Sequence, residues 1–187
     1  MASPVVLLLP GWQNSGPAHW QSRWEQRYGD LRVEQHDWMQ PLRGDWVARL
    51  EDVVLAQSSP CLLVAHSLGC MLTAAWAAVS RNTHRVQGAL LVAPGDPERE
   101  ALRTVLPSWS PVVLQRLPFP SVLVGSRDDP YCDCTRAQAF ANAWGSAWVD
   151  YGARGHINAD SDLGDWPEGR AYLKTLVAGR AALQAQP

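Results

Sequence analysis

The stretch Cys61–Trp76, CLLVAHSLGCMLTAAW, changes its period at one residue. Cys61 to His66 is a short apolar run, the pattern of a strand buried on both faces. From Leu68 onward, Leu68, Met71, Leu72, Ala75, Trp76 and then Val79 recur at three- and four-residue spacing. That stripe predicts a helix packed on a core. Ser67 stands at the junction. A buried strand that turns directly into a helix is the unit from which parallel sheets covered by helices are built.

The same alternation runs in both directions from this stretch. VVLLLP from Val5 predicts a buried first strand. GPAHWQSRWEQRYGD predicts a helix with Pro17 near its first turn, Gly29 as its stop, and Trp20, Trp24 and Tyr28 on one face. LRVEQHDW reads as a weaker, more polar strand near a sheet edge, and Asp45 to Gln57 as a helix. After the central stretch come strands at VQGALLVAP, SVLVGS and AWVDYG, with a helix over Thr135 to Trp144. Gly95 to Pro120 is proline-rich and irregular, with a short helix around Arg99 to Val105. Asp165 is a candidate cap for the last helix, with Glu168 three residues on, and the end of the chain to Pro187 is expected to fray. The expectation is one α/β domain over residues 1–187, with a parallel sheet, helices on both faces and right-handed crossovers.

Composition sets the outer limits. The chain has 187 residues, 47% apolar and 18% charged, enough to build one full core. A net charge of -2 gives no electrostatic footprint for nucleic acid or a membrane surface. MASPVVLLLPGW lacks the basic flank and length of a signal peptide, no run reaches a membrane span, and the expected compartment is the cytoplasm. Cys61, Cys70, Cys132 and Cys134 are then expected to be free thiols. Cys132 and Cys134 form C-x-C with no histidine or second pair at zinc spacing, so no metal or cofactor is expected. The ten tryptophans read mainly as core and pocket packing.

Ligands of such sheets bind at the carboxyl ends of the strands, and Ser67 is at one of them. A serine between a strand and a helix, with small residues two before and two after, fits a nucleophile elbow of the G-x-S-x-G type. Here the five residues are A-H-S-L-G: Gly69 has no side chain and Ala65 only a methyl. The same serine also fits a plain helix N-cap. A nucleophilic serine needs a general base, and the base an orienting acid. Of the two histidines downstream, His84 lies in a polar helix-to-strand connection at the wrong end of the sheet. His156, in YGARGHIN, lies past the carboxyl end of the last strand and is the candidate base. VGSRDDPY supplies the acid, and neighbours in an extended segment face opposite ways. Pro130 holds Asp129 extended, which favours Asp129, with Asp128 bracing the loop or exchanging roles with it. The backbone amides of Trp12 and Leu68 are candidate oxyanion donors, Gly11 allowing close approach. His19 is a candidate for lining the pocket, capping or packing. His66 should turn away into the packing, and His36 reads as structural. Gly95 to Pro120 is expected to border an open pocket for short acyl groups, with Trp109 as a candidate wall.

Taken together, LLLPGWQNSGPAHWQSRWE, LLVAHSLGC, LVAPGDPE, LPFPSVLVGSRDDPYC and GARGHIN resemble the small serine hydrolases grouped with retinoblastoma-binding protein 9 and the bacterial YdeN proteins. The resemblance spans nearly the whole chain. It implies an α/β-hydrolase fold, three-layer αβα with a mostly parallel six-stranded sheet and no large cap domain. It implies a triad of Ser67, Asp129 and His156, the acid being the aspartate before the proline, and activity on small esters or amide-type substrates. The family accepts glycine or alanine at the position of Ala65. The chain lacks the L-x-C-x-E segment, so no retinoblastoma-type partner is expected, only a small-molecule acyl substrate. The alternative is a hydrolase-fold binding module without turnover. A nucleotide-binding domain ranks lower, since neither G-x-G-x-x-G nor G-x-x-x-x-G-K-[ST] follows any strand.

Overall fold

A computed structural model describes residues 3–184, with side chains to residue 178. Its strands are β1 (Val5–Leu9), β2 (Leu31–Arg32), β3 (Cys61–His66), β4 (Val86–Val92), β5 (Ser121–Gly125) and β6 (Ala147–Asp150). They form one sheet in the order β2-β1-β3-β4-β5-β6, and every pairing is parallel. The order reverses direction between β1 and β3. This switch point opens a crevice at the carboxyl ends of those two strands.

The helices are α1 (Trp20–Tyr28), α2 (Arg43–Ala56), α3 (Leu68–Val79), α4 (Glu100–Arg103), α5 (Cys134–Trp144) and α6 (Pro167–Gln184). Strand alternation divides the core into two layers. Leu7, Leu9, Leu63, Ala65, Leu91 and Leu123 face one way, onto Trp46 and Leu50 of α2, Met71 and Trp76 of α3, and Phe140 and Trp144 of α5. Leu8, Leu62, Val64, Leu90, Val92 and Val124 face the other, onto Trp20 and Trp24 of α1 and Leu173 and Leu176 of α6. The architecture is a three-layer α/β-hydrolase fold with no large cap. None of the described helices is long and apolar enough to cross a membrane.

Four local expectations need correction. The second strand is only two residues long. Beyond Val33, whose amide still donates to Leu8 O, the chain leaves the edge. There the Asp37 carboxylate takes the amides of Met39 and Gln40, closing a turn. Helix α1 begins at Trp20, leaving Pro17 outside, because His19 is the extended N-cap and its Nδ1 accepts the Gln21 amide. Helix α6 begins at Pro167, two residues after Asp165, whose carboxylate pairs with Arg27 instead of capping. Trp109 is buried with Trp46 and donates its indole N–H to Pro41 O, so it belongs to the core. The fraying expected at the chain end falls partly on residues 185–187, outside the described residues.

Candidate active site

Ser67 holds φ 54° and ψ -119°, a conformation that costs a non-glycine residue energy. The turn is held from both sides: the Ser67 amide donates to Val92 O on β4, and its carbonyl accepts from the Cys70 amide. By position Ser67 is the N-cap of α3, yet it makes no side-chain capping bond. Among the described residues its hydroxyl has no hydrogen-bond partner.

The close approach of strand and helix explains the small residues around it. A Cβ on Gly69 would lie 2.1 Å from Leu9 O. A Cβ on Gly11 would lie 2.7 Å from Ser67 Cβ, and one on Gly95 would lie 3.1 Å from Ser67 Oγ. Ala65, fully buried, fits with its single methyl. For Gly69→Ala the helix-propensity gain is at most about 1 kcal/mol. The backbone clash outweighs it, and overpacking costs of about 3 kcal/mol apply. Urea unfolding of Gly69→Ala is expected to show a lower midpoint at unchanged slope; an unchanged midpoint would contradict the tight elbow.

His156 Nδ1 lies 2.9 Å from both carboxylate oxygens of Asp129. Both residues are buried. Asp129 Oδ1 also accepts the Tyr131 amide, which fixes the carboxylate against rotation. The Asp128 carboxylate points elsewhere: its Oδ1 takes the Ser126 hydroxyl and the Gly155 amide, both at 2.8 Å. These two bonds hold its carboxyl below the usual range, the Gly155 amide first. Asp128 thus braces the loop that carries His156, and Asp129 meets the imidazole. Gly155 and Ile157, on either side of His156, both have positive φ (56° and 47°). The strain at β-branched Ile157 is held by its neighbours. Its carbonyl accepts the Trp20 indole N–H, and the His156 carbonyl bonds His66 Nε2 at 2.8 Å.

A cavity of about 310 Å³ brings Ser67, His156, Trp12, Leu68, Gly11 and His19 onto one surface. The remaining wall includes Leu102, Leu106, Tyr131 and Asn158, none of them singled out from the sequence, and Gly95. Their signal was weak. Leu102 and Leu106 are ordinary apolar residues of an irregular segment, and Tyr131 is identified only by its place after Pro130. The amides of Trp12 and Leu68 have no acceptor among the described residues, consistent with donors directed at a ligand. Trp109 does not reach this cavity; Leu102 and Leu106 occupy the side it was expected to wall.

Three imidazoles stand ring to ring, His19 against His66 at 4.6 Å and His66 against His156 at 4.7 Å. Tyr131 covers the His156 ring at 4.5 Å. His66 is indeed turned into packing, but its ring also anchors the loop that carries His156. Burial pushes the His19 pKa down to about 3, with the charges of His156 and Arg32 adding to it. Burial likewise lowers His66, followed by His19 and His156, against a smaller opposing effect of its bond to His156 O. Both are neutral when folded and bind protons when unfolded near the ordinary value of 6.5. Stability therefore rises with pH through that region and falls as pH drops from about 7 to 5.5. Each extra proton taken up by the unfolded chain contributes about 1.4 kcal/mol per pH unit. His19→Asn keeps a good capping side chain and removes one titration. Its urea midpoint is expected to vary less between pH 7 and 5.5 than that of the wild type; an equal variation would show that His19 is charged when folded.

With this geometry in place, the likenesses to other proteins are specific. Residues 6–175 match the family model described as serine hydrolase. A YdeN-like hydrolase from Pectobacterium atrosepticum is 31% identical, with a TM-score of 0.80 over 93% of this chain and 90% of its own. The ydeN gene product of B. subtilis superposes with a TM-score of 0.78 at 18% identity, over 94% of this chain and 100% of its own. Est1E from Butyrivibrio proteoclasticus, solved with ferulic acid bound, superposes at 0.72 and 12% identity over 94% and 90% of the two chains, a likeness of fold alone. Among curated proteins, none matches the chain significantly. The match across 170 residues and the YdeN-like relative identify the chain as a member of the serine hydrolase family of the α/β-hydrolase superfamily.

Proposed function

We propose that the protein cleaves small acyl esters, or related amides or thioesters, through an acyl-enzyme on Ser67. The observation that carries this reading is that His156, bonded to Asp129 at 2.9 Å, lines the same cavity as a strained Ser67 whose hydroxyl is not spent on a cap. In the proposed first step Ser67 Oγ attacks the substrate carbonyl carbon and His156 Nε2 takes its proton. Asp129 accepts the Nδ1–H, which sets the tautomer and stabilises the imidazolium. The amides of Trp12 and Leu68 receive the negative oxygen, each donor worth about 3 kcal/mol by the usual cost of its removal. His156 then protonates the leaving group. Water, deprotonated by His156, attacks the acyl carbon, and the acid departs as His156 passes that proton to Ser67 Oγ. The proposed steps use only these groups and water.

The cavity, about 310 Å³ and walled on one side by Leu102 and Leu106, supports a small acyl group. Est1E, solved with ferulic acid bound, offers a precedent for a carboxylic acid ligand on this fold. Four free thiols support the cytoplasm as the proposed compartment. A panel of p-nitrophenyl esters of rising acyl length tests the reading. Saturable hydrolysis of the short esters, declining for long chains, is the expected result. Absence of turnover on esters, aminoacyl amides and thioesters alike would favour a silent binding module instead.

A further inference from the structure

The loop after β1 must hold the Trp12 amide against the oxyanion, yet it has little secondary structure of its own. Gln13 and Asn14 both stand at positive φ, 68° and 66°, a region that asparagine visits far more readily than glutamine. The Gln13 amide donates to Trp38 O and the Trp12 indole N–H to Met39 O, and further support comes from the shortest strand. Arg32 pairs with Leu8 in the register of β1 and β2, one residue before β1 ends at Leu9. Its side chain is 7% exposed and runs beneath the loop. Nη1 donates to Asn14 Oδ1 at 2.6 Å and to Ser15 O at 3.1 Å. Nη2 donates to Ser22 Oγ at 2.7 Å and to Glu25 Oε2 at 2.8 Å, and Nε donates to the same carboxylate oxygen at 3.0 Å. All three guanidinium nitrogens are thus engaged, two of them holding α1 and the third holding the loop. From the loop, Ser15 Oγ donates to Gln21 Oε1, and Gln21 Nε2 donates to Val64 O on β3, the strand that delivers Ser67.

Resting on the proposed hydrolase reading, we infer that Arg32 is a positioning residue for catalysis: it clamps the Gly11–Ser15 loop so that the Trp12 amide meets the oxyanion. This also gives the two-residue edge strand a purpose, since one ladder step suffices to hold Arg32 in register with the loop. A guanidinium is required. Its planar fork reaches the loop and α1 at once, where a lysine offers a single point charge. Glu25 supplies the counter-charge that a buried guanidinium needs. Arg32 does not line the cavity, so it acts through the loop and leaves substrate binding to others.

The test is steady-state hydrolysis of a short p-nitrophenyl ester by wild type, Arg32→Lys, Arg32→Ala and Asn14→Gly. Asn14→Gly keeps the positive φ accessible while removing, from the cavity-lining loop, the Oδ1 that accepts both Arg32 Nη1 and the Ser15 amide, so it probes the loop's anchoring even where Arg32→Ala fails to fold. Displacing a catalytic group by about 1 Å costs about 100-fold in rate. Arg32→Ala and Asn14→Gly are expected to lower kcat about 10- to 100-fold with KM changed less than about threefold. Millimolar guanidinium is expected to restore part of the Arg32→Ala rate, and Arg32→Lys is expected to stay slow. An alkylboronic acid, whose adduct on Ser67 places an oxygen between the two amides, is expected to weaken in parallel with kcat. Wild-type kcat and boronate affinity in folded Arg32→Ala or Asn14→Gly would overturn the clamp while leaving the hydrolase reading intact. A wild-type protein inert toward the esters and the boronate would overturn the hydrolase reading itself.

Discussion

Ser67→Ala is expected to lower kcat on short acyl esters by about 10⁴- to 10⁶-fold, the range for removing a triad nucleophile, with little change in stability. The two expectations belong together. A serine that served as an N-cap would cost about 1 kcal/mol on replacement by alanine. Ser67 makes no such bond, and the elbow is held by backbone bonds to Val92 and Cys70 that alanine keeps. The strained φ of 54° is the same for either side chain. A small change in unfolding midpoint with lost activity therefore separates a nucleophile from a structural serine. A large loss of stability with activity retained would assign Ser67 to the helix.

Asp129→Asn is expected to lower kcat by about 10⁴-fold, the cost of the wrong imidazole tautomer in related triads. The reason lies in the bonds to its carboxylate. Oδ1 accepts the Tyr131 amide, so an asparagine oxygen settles there and its NH₂ faces His156 Nδ1. A donor opposite Nδ1 forces the proton onto Nε2, and the imidazole can no longer accept from Ser67. Asp128→Asn keeps an acceptor for the Ser126 hydroxyl and the Gly155 amide. Its kcat is expected to fall less than about tenfold, by the smaller cost of loosening a loop compared with losing a triad member. The reverse ranking of the two variants would move the acid to Asp128.

Much of this was legible in the sequence because the decisive signals are local. The change of period at Ser67, the turn residues around it and the Asp129–Pro130 pair are all written within a few residues. The six strands and the position of His156 followed from alternation and chain order. The misses are tertiary. Trp109 looks like a pocket aromatic, but a buried indole needs an acceptor, and Pro41 O supplies one deep in the core. LRVEQHDW has strand-like composition, yet Asp37 turns the chain away after two ladder residues. Neither the Arg32 clamp nor the stack of His19 and His66 can be read from spacing. Each joins residues whose neighbourhood exists only once β1, β2 and β3 are side by side.

The central claim is that Ser67 forms a covalent adduct at its hydroxyl. Treating the protein with a fluorophosphonate and sequencing its peptides by tandem mass spectrometry tests this directly. The account predicts one phosphonyl group per chain, on Ser67, and none on Ser67→Ala. An adduct on another residue, or full labelling of Ser67→Ala, would contradict it.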